Sequence, residues 1–367
     1  MNKYYNHTSN YDKYPVVNVP GTDGECYTGW DAIAECLNRD LMKINEKVKV
    51  VVLECYQGVL DEEVVVSLQA RFPASHWFYS ADAMLSSDEI NAILKQDITD
   101  DEIFGYMTRL NMDCYFDGKK LAELRSKVAA VKEGVVFVYG VGAAYVQQVY
   151  DLLVYADMAR WEIQMRFRRN EISNVGVENK EERASLQYKR AFFVDWRICD
   201  RFKKKLMREW DYVLDTNIAG TPKMATGKAV WAGLEKASQT PFRVVPFFDP
   251  GPWGGQWMKE VCDLDRNTAN FAWCFDCVPE ENSLYLGFGN VRFEIPSIDL
   301  VFAYPARLLG NPVYGRFGDE FPIRFDFLDT MGGGNLSLQV HPLTQYIQEK
   351  FGMHYTQDES YYMLDAT

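Results

Sequence analysis

Gly334-Asn335-Leu336-Ser337-Leu338-Gln339-Val340-His341-Pro342 decides how the C-terminal third of this chain is read. Leu336, Leu338 and Val340 alternate with Ser337, Gln339 and His341, which is the two-residue period of a strand and puts Gln339 and His341 on one face. Eighteen residues after His341, Glu359 opens Glu359-Ser360-Tyr361-Tyr362-Met363-Leu364, a second run with strand character. If the two strands pair, an imidazole, an amide oxygen and a carboxylate converge. That is most of a divalent metal shell, and zinc accepts both N and O donors. A His on a strand is also an ordinary surface residue, so spacing by itself leaves both readings open.

Composition narrows the field around this stretch. A chain of 367 residues, 47% hydrophobic and 25% charged, has room for two domains with real cores. A net charge of −13 is the opposite of the basic footprint of a nucleic-acid binder. No run approaches eighteen apolar residues, and Met1-Asn2-Lys3-Tyr4-Tyr5-Asn6-His7 is no apolar signal segment; neither nucleic acid nor membrane is expected as a partner. The eight cysteines are scattered without a framework and read as reduced thiols of a cytoplasmic protein. Cys274 and Cys277 form a lone C-x-x-C with no second pair to complete a zinc knuckle.

The first 235 residues read as alternating strands and helices. Strands are expected at Pro15–Val19, Val48–Leu53, His76–Ser80, Val135–Gly140 and Leu152–Asp157. Helical spacing covers Trp30–Met42, Asp61–Phe72 with Asp61 as N-cap, and a more polar stretch from Ser87 through Thr108. This order implies a mainly parallel, doubly wound α/β domain. From Pro241 onward prolines, glycines and aromatics cluster and the runs shorten, an all-β texture that places a domain boundary near 235 and a β-rich domain over 236–367.

Gln339-Val340-His341-Pro342 with Glu359 resembles the metal motif of class I mannose-6-phosphate isomerases. Trp253-Gly254-Gly255, Ala272-Trp273-Cys274-Phe275-Asp276 and Arg316 through Asp329 are similar, in order, to their preceding segments. The resemblance, over about 245–367, implies a cupin (jelly-roll) fold, a Zn2+ ion held by Gln339, His341 and Glu359, and a sugar or sugar-phosphate substrate with Ser337 in its binding site. The implied reaction interconverts mannose 6-phosphate and fructose 6-phosphate or a related pair. The family usually has lysines where this chain has Asp326 and Gln357. Its fourth zinc ligand and catalytic Arg fall downstream of Thr367, so the resemblance implies an incomplete, C-terminally truncated cupin in an inactive piece. A non-catalytic carbohydrate or sugar-phosphate sensor is the alternative. His354, the other histidine near the motif, reads as an exposed loop residue.

Asp157-Met158-Ala159-Arg160-Trp161-Glu162-Ile163-Gln164-Met165-Arg166-Phe167-Arg168-Arg169-Asn170 resembles the arginine-rich lid helix of uridine-kinase-like P-loop proteins. No Gly-x4-Gly-Lys-Ser/Thr loop exists, and Gly140-Val141-Gly142 lacks a third glycine. The expectation is a kinase-like domain that has lost phosphoryl transfer, because backbone N–H groups and a lysine on the phosphates supply its main stabilisation.

Overall fold

A computed structural model describes residues 8–366; the stretch Met1–His7 and Thr367 lie outside the described residues. The chain divides into two compact units. The larger comprises Asn18–Glu235 and Leu286–Ile295; the smaller comprises the chain up to Val17, Lys236–Tyr285 and the chain from Pro296 onward. Thus the first residues and a later hairpin depart from a simple split at 235. The hairpin belongs to the larger unit because Val19 N–H donates to Gly287 O (2.9 Å) and Gly289, with φ of +58°, turns beside Asp23.

The strands, in chain order, are β1 (Val16–Asn18), β2 (Cys26–Thr28), β3 (Val48–Cys55), β4 (His76–Tyr79), β5 (Gly134–Gly140), β6 (Leu152–Asp157), β7 (Tyr212–Asp215), β8 (Lys223–Thr226), β9 (Phe247–Asp249), β10 (Trp273–Cys277), β11 (Ser283–Phe288), β12 (Val291–Pro296) and β13 (Phe325–Leu328). The larger unit is built on a seven-stranded sheet ordered β2-β8-β7-β6-β3-β5-β4. The strands β4, β5, β3, β6 and β7 run parallel, and β8 and β2 close one edge antiparallel. Val51, Val52 and Leu53 of β3, Val136, Phe137 and Val138 of β5, and Leu153 and Val154 of β6 are fully buried. Covering both faces of a sheet selects such unbroken apolar runs, and each side chain contributes roughly 1.5–3 kcal/mol by leaving water.

The chain leaves β3 for β4 at the far edge, returns to β5 beside β3, then crosses to β6 on the other side. The carboxyl end of β3 is therefore a topological switch point, the usual place for a ligand crevice in an open α/β sheet.

Two helix boundaries differ from expectation, and one pair of helices is joined in an unusual way. Asp61 is the first helical residue rather than the N-cap, a position held by Leu60, and its carboxylate accepts from Tyr139 Oη (2.7 Å). The helix Ser87–Ile98 starts with a reciprocal capping box between Ser86 and Glu89 and stops at Thr99, whose φ is +60°, instead of reaching Thr108. Asp101 Oδ1 then accepts from the N–H groups of Ile103 (2.7 Å) and Phe104 (2.6 Å), an Asx-type turn that competes with helix. Finally, Ala184–Arg190 and Trp196–Leu206 are joined by a π-helical segment, Ala191–Asp195.

In the smaller unit β13, β10 and β9 form an antiparallel sheet in that order. Met258, Phe271 and Cys274 form its core, with Tyr11, Phe248, Trp257, Leu264 and Phe327 packed against them. The runs 336–341 and 359–364, expected as strands, are not strands. A strand needs a neighbour for its N–H and C=O groups, and no described strand pairs with either run. Leu338 and Val340 accordingly stand 96% and 88% exposed.

Candidate functional site

The smaller unit joins segments far apart in sequence. Gly255 N–H donates to Asp329 O (2.8 Å), Gln256 N–H to Met331 O (2.9 Å) and Gly334 N–H to Trp253 O (3.0 Å). The Asp329 carboxylate is buried and accepts from Met258 N–H (2.8 Å) and Met331 N–H (2.9 Å). A Cβ at Gly255 would lie 2.2 Å from Asp329 Oδ1, so this crossing requires glycine. Trp253-Gly254-Gly255 is in this way tied to the turn that feeds Gln339 and His341.

His341 and Glu359 meet without the strand pairing expected of them: Nε2 lies 2.6 Å from Oε2. The Tyr361 phenol and then the His341 ring hold the Glu359 carboxyl below its ordinary value. Gln339 and Ser337 are exposed and, outside a strand, have no enforced direction toward this pair. His354 Nδ1 lies 3.7 Å from Glu320 instead, and Gln357 is exposed. Among the described residues no three His, Cys, Asp or Glu side chains are arranged to hold a metal ion. Of the three residues expected around a metal, His341 and Glu359 come together and Gln339 does not.

In the sequence, Asp326 is legible only as the replacement of an expected lysine. It sits on β13 opposite Phe275 of β10, with Oδ1 buried and lacking a hydrogen-bond partner. Burial and then the Glu281 charge push its carboxyl up to about 6; Arg324 opposes the shift and Glu359 adds to it. An Asp inside the aromatic run Phe325-Asp326-Phe327 was the available signal.

At the switch point of the larger unit, charged side chains are paired with one another and with backbone carbonyls. Arg160 is buried, bonded to Asp200 Oδ2 (2.5 Å) and Tyr56 Oη (3.2 Å), and lies over the Trp196 ring. Arg166 donates to Gly58 O (2.6 Å), Thr216 O (2.6 Å) and Asn217 O (3.3 Å). Lys203 Nζ lies 2.8 Å from both Asp157 oxygens. Glu54 at the end of β3 accepts from Gly142 N–H and Ala144 N–H (2.7 Å each), and burial pushes its carboxyl up to about 8 against those donors. The helix after β3 opens with Asp61, Glu62 and Glu63. Three acidic residues complement the helix dipole but repel a phosphate at that terminus. The lid-like arginines thus serve protein carbonyls and carboxylates. Glu54 in an apolar strand and Asp157 at a strand end were the legible signs of this network; its partners Asp200 and Lys203 lie in the basic helix Trp196–Leu206.

No helix among the described residues is long and apolar enough to cross a membrane. None of the curated proteins matches the chain. Residues 29–239, which take in the sheet from β3 to β8, match the family described as "Domain of unknown function (DUF8485)", and the chain belongs to that family.

Proposed function

We propose that the smaller unit carries a zinc centre of the mannose-6-phosphate isomerase type, reduced to weak metal binding and without sugar turnover in this chain. The observation that supports it is the 2.6 Å approach of His341 Nε2 to Glu359 Oε2 at the spacing of that family's motif. An imidazole nitrogen and a carboxylate are donor types that zinc accepts, though here they bond each other, so both would have to part to take the ion and exposed Gln339 would join only on binding. When bound, zinc would polarise the sugar oxygens that gain charge as an aldose becomes an enediol. Proton movement between adjacent sugar carbons also needs a base placed against the carbon, and His341 and Glu359 are engaged with each other. The kinase-like unit is on this reading a scaffold, its phosphate region occupied by its own arginines.

The test is a zinc titration against a chromophoric chelator, with ketose formation from mannose 6-phosphate followed in parallel. Weak zinc uptake that disappears in His341→Ala and Glu359→Gln, without turnover, is expected. Uptake unchanged in both variants would remove the centre from consideration, and turnover would overturn the claim of a reduced site. A non-catalytic sugar-binding cupin is the second reading, favoured by the unenforced Gln339 and by Asp326 and Gln357 at positions where the isomerases carry lysine.

A further inference from the structure

We infer that a cleft in the larger unit, apart from the residues of the zinc-site reading, binds a small zwitterion of the α-amino-acid type. Asn111, Met112, Asp113, Tyr145, Phe202 and Lys205 line a cleft of about 70 Å³. Met112 is buried, Tyr145 and Phe202 are half-buried, and Asn111, Asp113 and Lys205 are exposed. Apolar surface with a few polar groups around it is the ordinary make-up of a small-ligand site. The walls are held by contacts of their own. Cys114 N–H donates to Asn111 O (3.0 Å) in the tight turn Met112–Tyr115, and Arg201 Nη2, on the same helix as Lys205, donates to Leu110 O just before that turn. The Tyr145 carbonyl accepts from Arg125 Nη2 (2.7 Å), and the Tyr145 ring lies 5.1 Å from that of Phe116. Walls fixed in this way leave little ordering entropy to be lost on binding.

The charges define the ligand. Asp113 and Lys205 line one cleft with opposite signs, yet they form no ion pair with each other, and neither side chain has a hydrogen bond or ion pair with any described residue. A simple anion is drawn by Lys205 and repelled by Asp113; for a simple cation the signs reverse. A ligand with an ammonium for Asp113 and a carboxylate for Lys205 satisfies both and brings no net charge. Its remaining substituent can rest on Met112, Tyr145 and Phe202. The cleft, at about 70 Å³, is smaller than the roughly 150 Å³ cavity that takes benzene, so that substituent is short.

The experiment titrates L-alanine, propionate and ethylamine separately into the full chain carrying isotope-labelled methionine methyl groups. It reads the NMR shift of the Met112 methyl, assigned through Met112→Leu. Propionate lacks the ammonium of alanine, and ethylamine lacks its carboxylate. Alanine is expected to move the Met112 signal saturably and to bind at least about tenfold tighter than either analogue. Asp113→Asn should weaken alanine and ethylamine about tenfold and leave propionate no weaker; Lys205→Gln should weaken alanine and propionate about tenfold and leave ethylamine no weaker. Both side chains are exposed, so the variants are expected to keep the urea midpoint of the parent. No saturable shift with alanine, equal binding of the three compounds, or alanine binding indifferent to both variants overturns the inference. Binding of propionate alone, abolished by Lys205→Gln, would make this a plain anion site and overturns it as well.

Discussion

Lys203→Met is the sharpest probe of the larger unit. The ammonium and its partner Asp157 are 1% and 2% exposed, and Nζ lies 2.8 Å from both carboxylate oxygens. It also sits 4.5 Å from the centre of the Tyr56 ring and 5.6 Å from that of Tyr155. Methionine fills much of the same space, so the lost volume is small and the main effect is electrical. Asp157 would keep only the Met158 N–H (2.9 Å) beneath the protein surface. Leaving one charge of a buried pair uncompensated costs about 3–5 kcal/mol, against about 0–1 kcal/mol for an exposed pair. For a unit of this size that is a fall in Tm of roughly 10 °C. Urea unfolding followed by the emission of Trp196 and Trp210, both buried in this unit, measures it. The double variant Asp157→Asn with Lys203→Met removes both charges and keeps an acceptor for Met158; it should lie within about 2 kcal/mol of the parent. A single variant costing under about 1 kcal/mol, or a double variant no better than the single, would show that packing rather than charge governs the site.

Glu54 gives a pH signature. Its folded-state value is about 8 against an ordinary 4.5, so across that window the folded chain holds a proton that the unfolded chain has released. This group therefore favours the folded state most at low pH and lowers stability as pH rises, on the order of a few kcal/mol. Urea midpoints taken across the window should decline in the parent and flatten in Glu54→Gln; parallel profiles would refute the assignment. In the smaller unit, Gly255→Ala should cost about 2–4 kcal/mol because the new methyl displaces the buried Asp329 carboxylate from the N–H groups of Met258 and Met331. Circular dichroism melting checks it, and a loss below about 0.5 kcal/mol would mean that the crossing relaxes freely.

Much of the larger unit was legible because its central strands carry their own address. Residues 50–53, 135–139 and 152–156 are apolar without interruption, as a strand covered on both faces requires. β2 and β8 were not legible, since Cys26-Tyr27-Thr28 and Lys223-Met224-Ala225-Thr226 are short edge strands whose pairing is decided in three dimensions. Residues 336–341 failed in the opposite direction. Alternation states which face a strand would use, but not whether a neighbour is there to receive it, and here the run lies outside any strand and is largely exposed. The 2.6 Å contact between His341 and Glu359 nevertheless joins two residues singled out by spacing and resemblance. What spacing left unread was the environment: the orphaned oxygen of Asp326, and the arginines turned inward on carbonyl groups. Burial determines both, and single-residue identity records it weakly.

The π segment Ala191–Asp195 has a consequence for length rather than composition. A π turn accommodates one residue more than an α turn and advances everything after it by about 100°. Residues five apart then stack, which is why Arg190 Nε reaches within 3.5 Å of Asp195 Oδ2. The same offset sets the phase of Asp200 and Lys203, so that they meet Arg160 and Asp157. Removing any single residue between 191 and 195 would restore an ordinary helix and rotate both ion pairs out of reach at once. Substitutions in this segment are negotiable side chain by side chain, but its count of five is not. Among family members, a one-residue gap there should coincide with loss of the Asp157–Lys203 and Arg160–Asp200 pairs together.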